Sequence, residues 1–222
     1  MRFEDLPYLK PEAGTHYAIV DDVLEAPRTV VERCWAKRAW LMGAPYLPEP
    51  WPGMRAPEAL TERELAQVTE KARAAVGAKR LYQDLAGSTP GLSHNFVQMV
   101  GGGESIARPH VDSRALARFA GVLFLHPFPP TKHAGTSLFR LRNLDGTLGG
   151  NLCPPPFQHL NEALGVDRLP ITAFEEEMEL PYAFNRLVVY RADLIHSATA
   201  YFGQHHQQKR ISVTFFWKEE AR

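Results

Sequence analysis

Three short stretches carry side chains whose types and spacing could do chemistry. In Arg108-Pro109-His110-Val111-Asp112-Ser113, an imidazole and a carboxylate stand two residues apart. Side chains alternate along extended backbone, so His110 and Asp112 can reach toward one point, as metal ligands do. A second imidazole, His196, lies in Tyr190-Arg191-Ala192-Asp193-Leu194-Ile195-His196 and reads as closing a short apolar strand. Arg210 and Ser212, again two apart, open the run Lys209-Arg210-Ile211-Ser212-Val213-Thr214-Phe215-Phe216-Trp217. An arginine aimed into an apolar β-barrel is costly unless an anion meets it, and a dicarboxylate would meet that need. Each piece alone is weak. Roughly 0.3 His-x-Asp pairs are expected by chance in a chain of this composition. Such a pair also caps turns, and a histidine at a strand end is more often an ordinary surface or core residue.

The elements that must hold these residues are legible in outline. Residues 16–20 read as a short strand. A helix follows from Ala26-Pro27 to about Leu41, with proline in its first turn and Val30, Val31, Cys34 and Trp35 at helical spacing. The proline-rich stretch 45–57 reads as a surface loop without regular structure, either an interface or an edge cover. Thr61-Glu62-Arg63-Glu64 is a capping box that opens a second helix ending near Gly77. From residue 94 the pattern changes to β-branched and aromatic runs at 94–100, 118–126, 136–142, 184–190 and 209–217. No helix follows each of them, as parallel βαβ units require, so the sheets are predicted to be antiparallel. Residues 143–183 form a long excursion with one short helix near 157–164. The expected class is α+β, mainly β: a jelly roll with N-terminal supporting helices. One domain is expected over 1–222, with helical support over 1–90 and the jelly-roll core over 91–222, interrupted by 143–183.

Composition excludes several classes. The chain of 222 residues balances 25 Lys and Arg against 25 Asp and Glu, so it lacks the basic excess of a generic nucleic-acid binder. No run approaches the ~20 apolar residues that span a bilayer, and the acidic, proline-broken start is no signal peptide. Two distant cysteines, Cys34 and Cys153, suit a reducing cytoplasm and read as free thiols.

Taken together, His-x-Asp, a distant His, and Arg-x-Ser 14 residues beyond it resemble the iron(II)/2-oxoglutarate dioxygenase superfamily. The likeness is strongest to its prolyl-hydroxylase-like branch. It extends to Phe96-Val97-Gln98-Met99 before the His-x-Asp loop, to Gly121-Val122-Leu123-Phe124-Leu125, and to the glycine turn Ala134-Gly135-Thr136-Ser137. Ala18-Ile19-Val20-Asp21-Asp22 and Trp51-Pro52-Gly53-Met54-Arg55-Ala56-Pro57 resemble a bacterial subfamily of this group. Thr136-Ser137 stands where prolyl hydroxylases often carry Glu-Thr, so the substrate does not transfer with the resemblance.

The resemblance implies that His110, Asp112 and His196 are the catalytic metal ligands. Two imidazoles and a carboxylate on one face leave three coordination positions open, which suits iron(II). It further implies 2-oxoglutarate and O2 as cosubstrates, with Arg210 and Ser212 holding the distal carboxylate. Succinate and CO2 would be released as a C–H bond is oxidised. The expected substrate is a small polar or amino-acid-derived molecule, with neither nucleic acid nor membrane as partner. A cupin-like metal-binding or isomerase module and a catalytically silent oxygenase fold are the alternatives. The remaining polar residues read as bystanders: His94, His126 and His133 as surface or supporting histidines, and His205-His206 as a solvated tip. Arg108, Arg140 and Arg142 are expected to face water, Asp193 to form a turn, and Glu175-Glu176-Glu177 to be a solvated face.

Overall fold

The computed structural model describes residues 1–83 and 94–220. In chain order the described residues form β1 (Tyr17–Val20), α1 (Pro27–Trp35), β2 (Leu41–Met42), β3 (Met54–Ala56), α2 (Glu62–Ala75), β4 (Leu81–Tyr82) and β5 (Phe96–Val100). Then come β6 (Phe119–Phe124), β7 (Thr136–Leu141), α3 (Leu160–Leu164), β8 (Phe174–Leu180), β9 (Arg186–Arg191), β10 (His196–Ala198) and β11 (Arg210–Glu219). The larger sheet runs β1-β9-β6-β11-β5-β3-β2, with β4 also on β11, and the smaller runs β10-β7-β8. The strand pairings are antiparallel. The result is a mainly β jelly roll with the N-terminal helices α1 and α2 packed on the larger sheet, as the sequence predicts. The boundary expected between residues 90 and 91 lies outside the described residues.

The alternation of β11 explains how one strand serves both a core and a cavity. Ile211, Val213, Phe215 and Trp217 are buried in an apolar cluster with Val30, Val31 and Cys34 of α1 and Val68 and Ala72 of α2. Arg210, Ser212, Thr214 and Phe216 line the space between the two sheets. Period-two burial on this scale fixes register, because a slip of one residue would exchange the two faces. The capping box forms as expected: Thr61 Oγ1 accepts from the Glu64 N–H and Glu64 Oε2 accepts from the Thr61 N–H. Cys34 and Cys153 are free and buried, and burial pushes both thiols up to about 11, so neither is poised as a thiolate.

Three elements differ from the sequence reading. The first helix stops at Trp35, where its apolar stripe of Val30, Val31 and Cys34 ends, and does not continue to Leu41. The proline-rich 45–57 stretch is not without regular structure, since Met54–Ala56 pairs with β5 at Met99, Gln98 and Val97. Gly53 makes this possible: its φ is +73°, and a Cβ there would stand 2.1 Å from the Met99 carbonyl oxygen. Within 143–183, Phe174–Leu180 is a strand paired with β7, so the Glu175-Glu176-Glu177 run belongs to the smaller sheet. Two of its three glutamates are partnered, Glu175 by Arg142 and Glu177 by Tyr8 and Asn151, while Glu176 is exposed as expected of a solvated face. The same excursion also contributes to a core. Leu160, Ala163 and Leu164 of α3 are buried with Cys153, Val111 and Ile195, so α3 packs behind the segments that carry the candidate ligands.

His94 is a core residue and not a surface one. It is 9% exposed, its ring packs edge-on against Phe215 and Trp217, and Nδ1 lies 2.9 Å from the Phe216 carbonyl oxygen and 3.0 Å from the Phe216 backbone nitrogen. Burial pushes its pKa down to about 4 from 6.5. The unfolded chain therefore binds a proton between those values that the folded chain refuses, and folding stability falls as pH drops from 6.5 toward 4. The full difference is about 3 kcal/mol. Denaturant melts at pH 7 and pH 4.5 should show the wild type losing more stability on acidification than His94→Leu. An equal loss in both would remove His94 as the cause.

Candidate metal centre

His110 and His196 meet as an isolated antiparallel bridge: the His110 N–H donates to the His196 carbonyl at 3.0 Å and the reverse bond is 2.8 Å. Residues 108–112 are thus extended but outside the named strands, and His196 opens β10 where the sequence reading has it closing a strand. The Asp112 N–H donates to the Ala192 carbonyl at 2.8 Å. Between the two candidate ligands, Val111 turns the other way into the apolar cluster with α3. Period two therefore holds locally, and it puts His110 and Asp112 on the cavity side.

Both imidazoles have a defined tautomer. His110 Nδ1 lies 2.8 Å from the Arg108 carbonyl oxygen, and His196 Nδ1 lies 2.8 Å from that of Leu194. A carbonyl can only accept, so each Nδ1 carries the proton and each Nε2 keeps its lone pair. Those Nε2 atoms face the carboxylate, His196 Nε2 at 3.3 Å from Asp112 Oδ2 and His110 Nε2 at 3.8 Å from Oδ1. One ligand atom from each of the three lies within 4.8 Å of the others. Three electron-pair donors aimed at one point repel unless a cation joins them, so the donor set fits a divalent metal. Burial pushes the Asp112 carboxyl up, but the Arg55 guanidinium and, with no metal bound, protonation of His196 and His110 outweigh it and hold the carboxyl below its ordinary value. His196 is buried, whereas the His110 side chain is 56% exposed and marks the open side of the site.

Arg210 and Ser212 line the same cavity, of about 340 Å³, as the three metal-ligand candidates. The sequence-predicted residues are brought together although they span a hundred positions. The Arg210 guanidinium is 3% exposed and sits between the Phe124, Tyr182 and Tyr201 rings at 5.3–5.9 Å. Nε donates to the Ala134 carbonyl at 2.9 Å, Nη2 to that of Gly135 at 3.2 Å, and Nη1 to Ser212 Oγ at 3.3 Å. No carboxylate among the described residues forms an ion pair with it. Burial pushes its pKa down, with the Tyr201, Tyr182 and Tyr190 phenols opposing the shift. A ligand carboxylate would replace the lost hydration of this cation.

Several cavity residues escape sequence reasoning. Trp51 and Arg55 come from the proline-rich stretch, and the Arg55 guanidinium lies 4.6 Å from the Trp51 ring centre. Burial pushes Arg55 down to about 10. Gln98, opposite Arg55 in the sheet, and Tyr190 and Tyr201 complete the set. The available signal is that Gln98 is polar within an otherwise apolar strand. Of the residues read as bystanders, His126 is buried against Phe202 and Trp35, while His133 is exposed and pairs with Glu179. His205 and His206 are exposed. Asp193 is more than a turn former: it is 2% exposed and paired with arginines.

Solved structures share this architecture. The non-haem alpha-ketoglutarate-dependent epimerase SnoN from nogalamycin biosynthesis aligns with a TM-score of 0.52 at 15% identity, covering 92% of this chain and 79% of that one. SnoN in complex with Fe3+, alpha-ketoglutarate and nogalamycin RO aligns at 0.51 and 14% identity with the same coverage. A prolyl-4-hydroxylase from Pseudomonas putida aligns at 0.46 and 17% identity, covering 93% and 94% of the two chains. The two SnoN alignments show that the fold is one used by a 2-oxoglutarate-dependent enzyme. No curated protein matches the chain by sequence. Residues 8–147, more than half the chain, match the family model described as a family of unknown function, DUF6445, and the chain belongs to that family.

Proposed function

We propose that this protein is an iron(II)- and 2-oxoglutarate-dependent oxygenase that hydroxylates a C–H bond of a small polar or amino-acid-derived substrate. The observation that carries the reading is the single cavity in which two lone-pair imidazole nitrogens and a carboxylate converge beside a buried, carboxylate-free arginine. His110, Asp112 and His196 would hold the iron, and Arg210 with Ser212 would hold the distal carboxylate of 2-oxoglutarate. When bound, the pair would supply reduction of O2, one oxygen atom going to succinate as 2-oxoglutarate loses CO2 and the other to the substrate. The chain's own part is orientation and shielding. The Arg108 and Leu194 carbonyls fix the two imidazole rings, and the Phe124, Tyr182 and Tyr201 rings keep water from the Arg210 pair. Trp51, Arg55 and Gln98 face the remaining space and would contact the substrate. A cavity of this size suits a small molecule. Two free, buried thiols are consistent with work in a reducing cytoplasm.

Succinate release from purified, iron-loaded protein supplied with 2-oxoglutarate tests the proposal. Slow iron-dependent release is expected without substrate, rising when fractions of a small-metabolite extract are added. Release that is independent of iron, or absent under both conditions, would contradict it.

A further inference from the structure

Asp193 carries a charge that the proposed chemistry does not use, and it lies at the join between the two ligand-bearing segments. Its carboxylate accepts two bonds from Arg191, Nε to Oδ1 at 2.9 Å and Nη2 to Oδ2 at 2.7 Å. Oδ2 also accepts from Arg114 Nη1 at 2.6 Å, and Arg118 Nη1 stands 3.7 Å away. Arg191 and Asp193 precede His196 by five and three residues. Arg114 and Arg118 belong to the loop that leaves Asp112. The backbone repeats the link: Asp112 N–H donates to Ala192 O, Ala192 N–H donates to Arg118 O at 3.0 Å, and Cys153 N–H donates to Asp193 O at 3.0 Å.

This placement matters because the 108–118 segment has little regular structure of its own. It is tied to β10 by the bridge at His110 and by the Arg108 N–H, which donates to Ser197 Oγ at 2.8 Å, and residues 113–117 form a turn closed by bonds to Ser113 O and anchored on Gln158 Oε1, which accepts from Ser113 Oγ and the Ala115 N–H. A carboxylate buried among guanidiniums is held in one geometry, since moving either partner strands a charge in low dielectric. We infer that Asp193 is a positioning residue, an ionic clamp whose bonds to Arg114 and Arg191 hold Asp112 and His196 at metal-binding separation. The inference rests on the metal reading above, and it assigns to Asp193 a role in ligand geometry beyond folding.

The test is Mn(II) affinity of the full chain, measured by titration below the melting temperature of every variant. Wild type is titrated first, and failure to bind Mn(II) would overturn the metal centre and the clamp together. Asp193→Asn keeps the shape and removes the charge. Arg114→Met leaves Asp193 its Arg191 bonds and removes the shortest of its side-chain links to the Asp112 loop, so it stands in if Asp193→Asn does not fold. Each is expected to bind Mn(II) at least roughly tenfold more weakly, the usual cost of losing groups that orient metal ligands. Asn185→Ala is the control, because Asn185 is buried and bonded to Leu24 at the opposite end of β9. It should lower thermal stability while leaving Mn(II) affinity at the wild-type value. Wild-type affinity in both clamp variants, or an equal loss in Asn185→Ala, would overturn the positioning role.

Discussion

His196→Ala is expected to weaken iron(II) binding by more than roughly 100-fold, since disturbing groups that only orient ligands already costs roughly 10–100-fold. The magnitude follows from the site. His196 is buried, its Nε2 lies 3.3 Å from Asp112 Oδ2, and its tautomer is fixed by the Leu194 carbonyl. Alanine removes a third of the donor set and leaves Asp112 facing one imidazole. His110→Ala should lose nearly as much, tempered by its exposure, which lets water occupy the vacated position. Asp112→Ala should behave differently: two imidazoles remain, so weak iron binding persists while substrate oxidation is lost. Metal titration of the three variants checks this order. Wild-type affinity in His196→Ala would sink the ligand assignment.

Arg210→Ala should raise the 2-oxoglutarate requirement at least roughly tenfold, with iron binding retained. A charge-assisted bond is worth ~1.5–3 kcal/mol, and ~1.4 kcal/mol is a decade of affinity. Burial favours the upper end, because the guanidinium is walled by Phe124, Tyr182 and Tyr201. The same variant leaves the buried Ala134 carbonyl without its arginine donor and the Gly135 carbonyl with the Thr199 N–H alone, so a loss of stability accompanies the loss of affinity. Ser212→Ala removes one neutral hydroxyl and should cost less on both counts. Calorimetric titration of 2-oxoglutarate into metal-loaded variants separates these outcomes. An unchanged affinity in Arg210→Ala would move Arg210 to the substrate side of the cavity.

What the sequence makes legible here is governed by local periodicity. His110-x-Asp112 and Arg210-x-Ser212 can be read because period two determines which side of an extended chain they occupy, and both pairs do face one cavity. Thr61-Glu64 is readable because a capping box is closed within four residues. The strand at Phe174–Leu180 is hidden, because Glu175-Glu176-Glu177 resembles a solvated run until Arg142, Tyr8 and Asn151 are brought to it. Arg55 is hidden for a related reason. Five prolines dominate its neighbourhood, and only pairing with Gln98 and Met99 on one side and with Leu41 and Met42 on the other turns that stretch into a strand. Asp193 is the sharpest case. Its local sequence suggests a turn, and its burial depends on arginines up to 79 positions away. Contacts between distant segments carry no local signature, so they are what the sequence conceals.

The central claim is that iron and 2-oxoglutarate share one site. Equilibrium dialysis under argon, with iron(II) and labelled 2-oxoglutarate supplied separately and together, tests it most directly. The expected result is one iron retained per chain, with 2-oxoglutarate retained tightly only when iron is present. Binding of 2-oxoglutarate that is equally strong without iron, or retained iron that leaves 2-oxoglutarate affinity unchanged, would contradict the account.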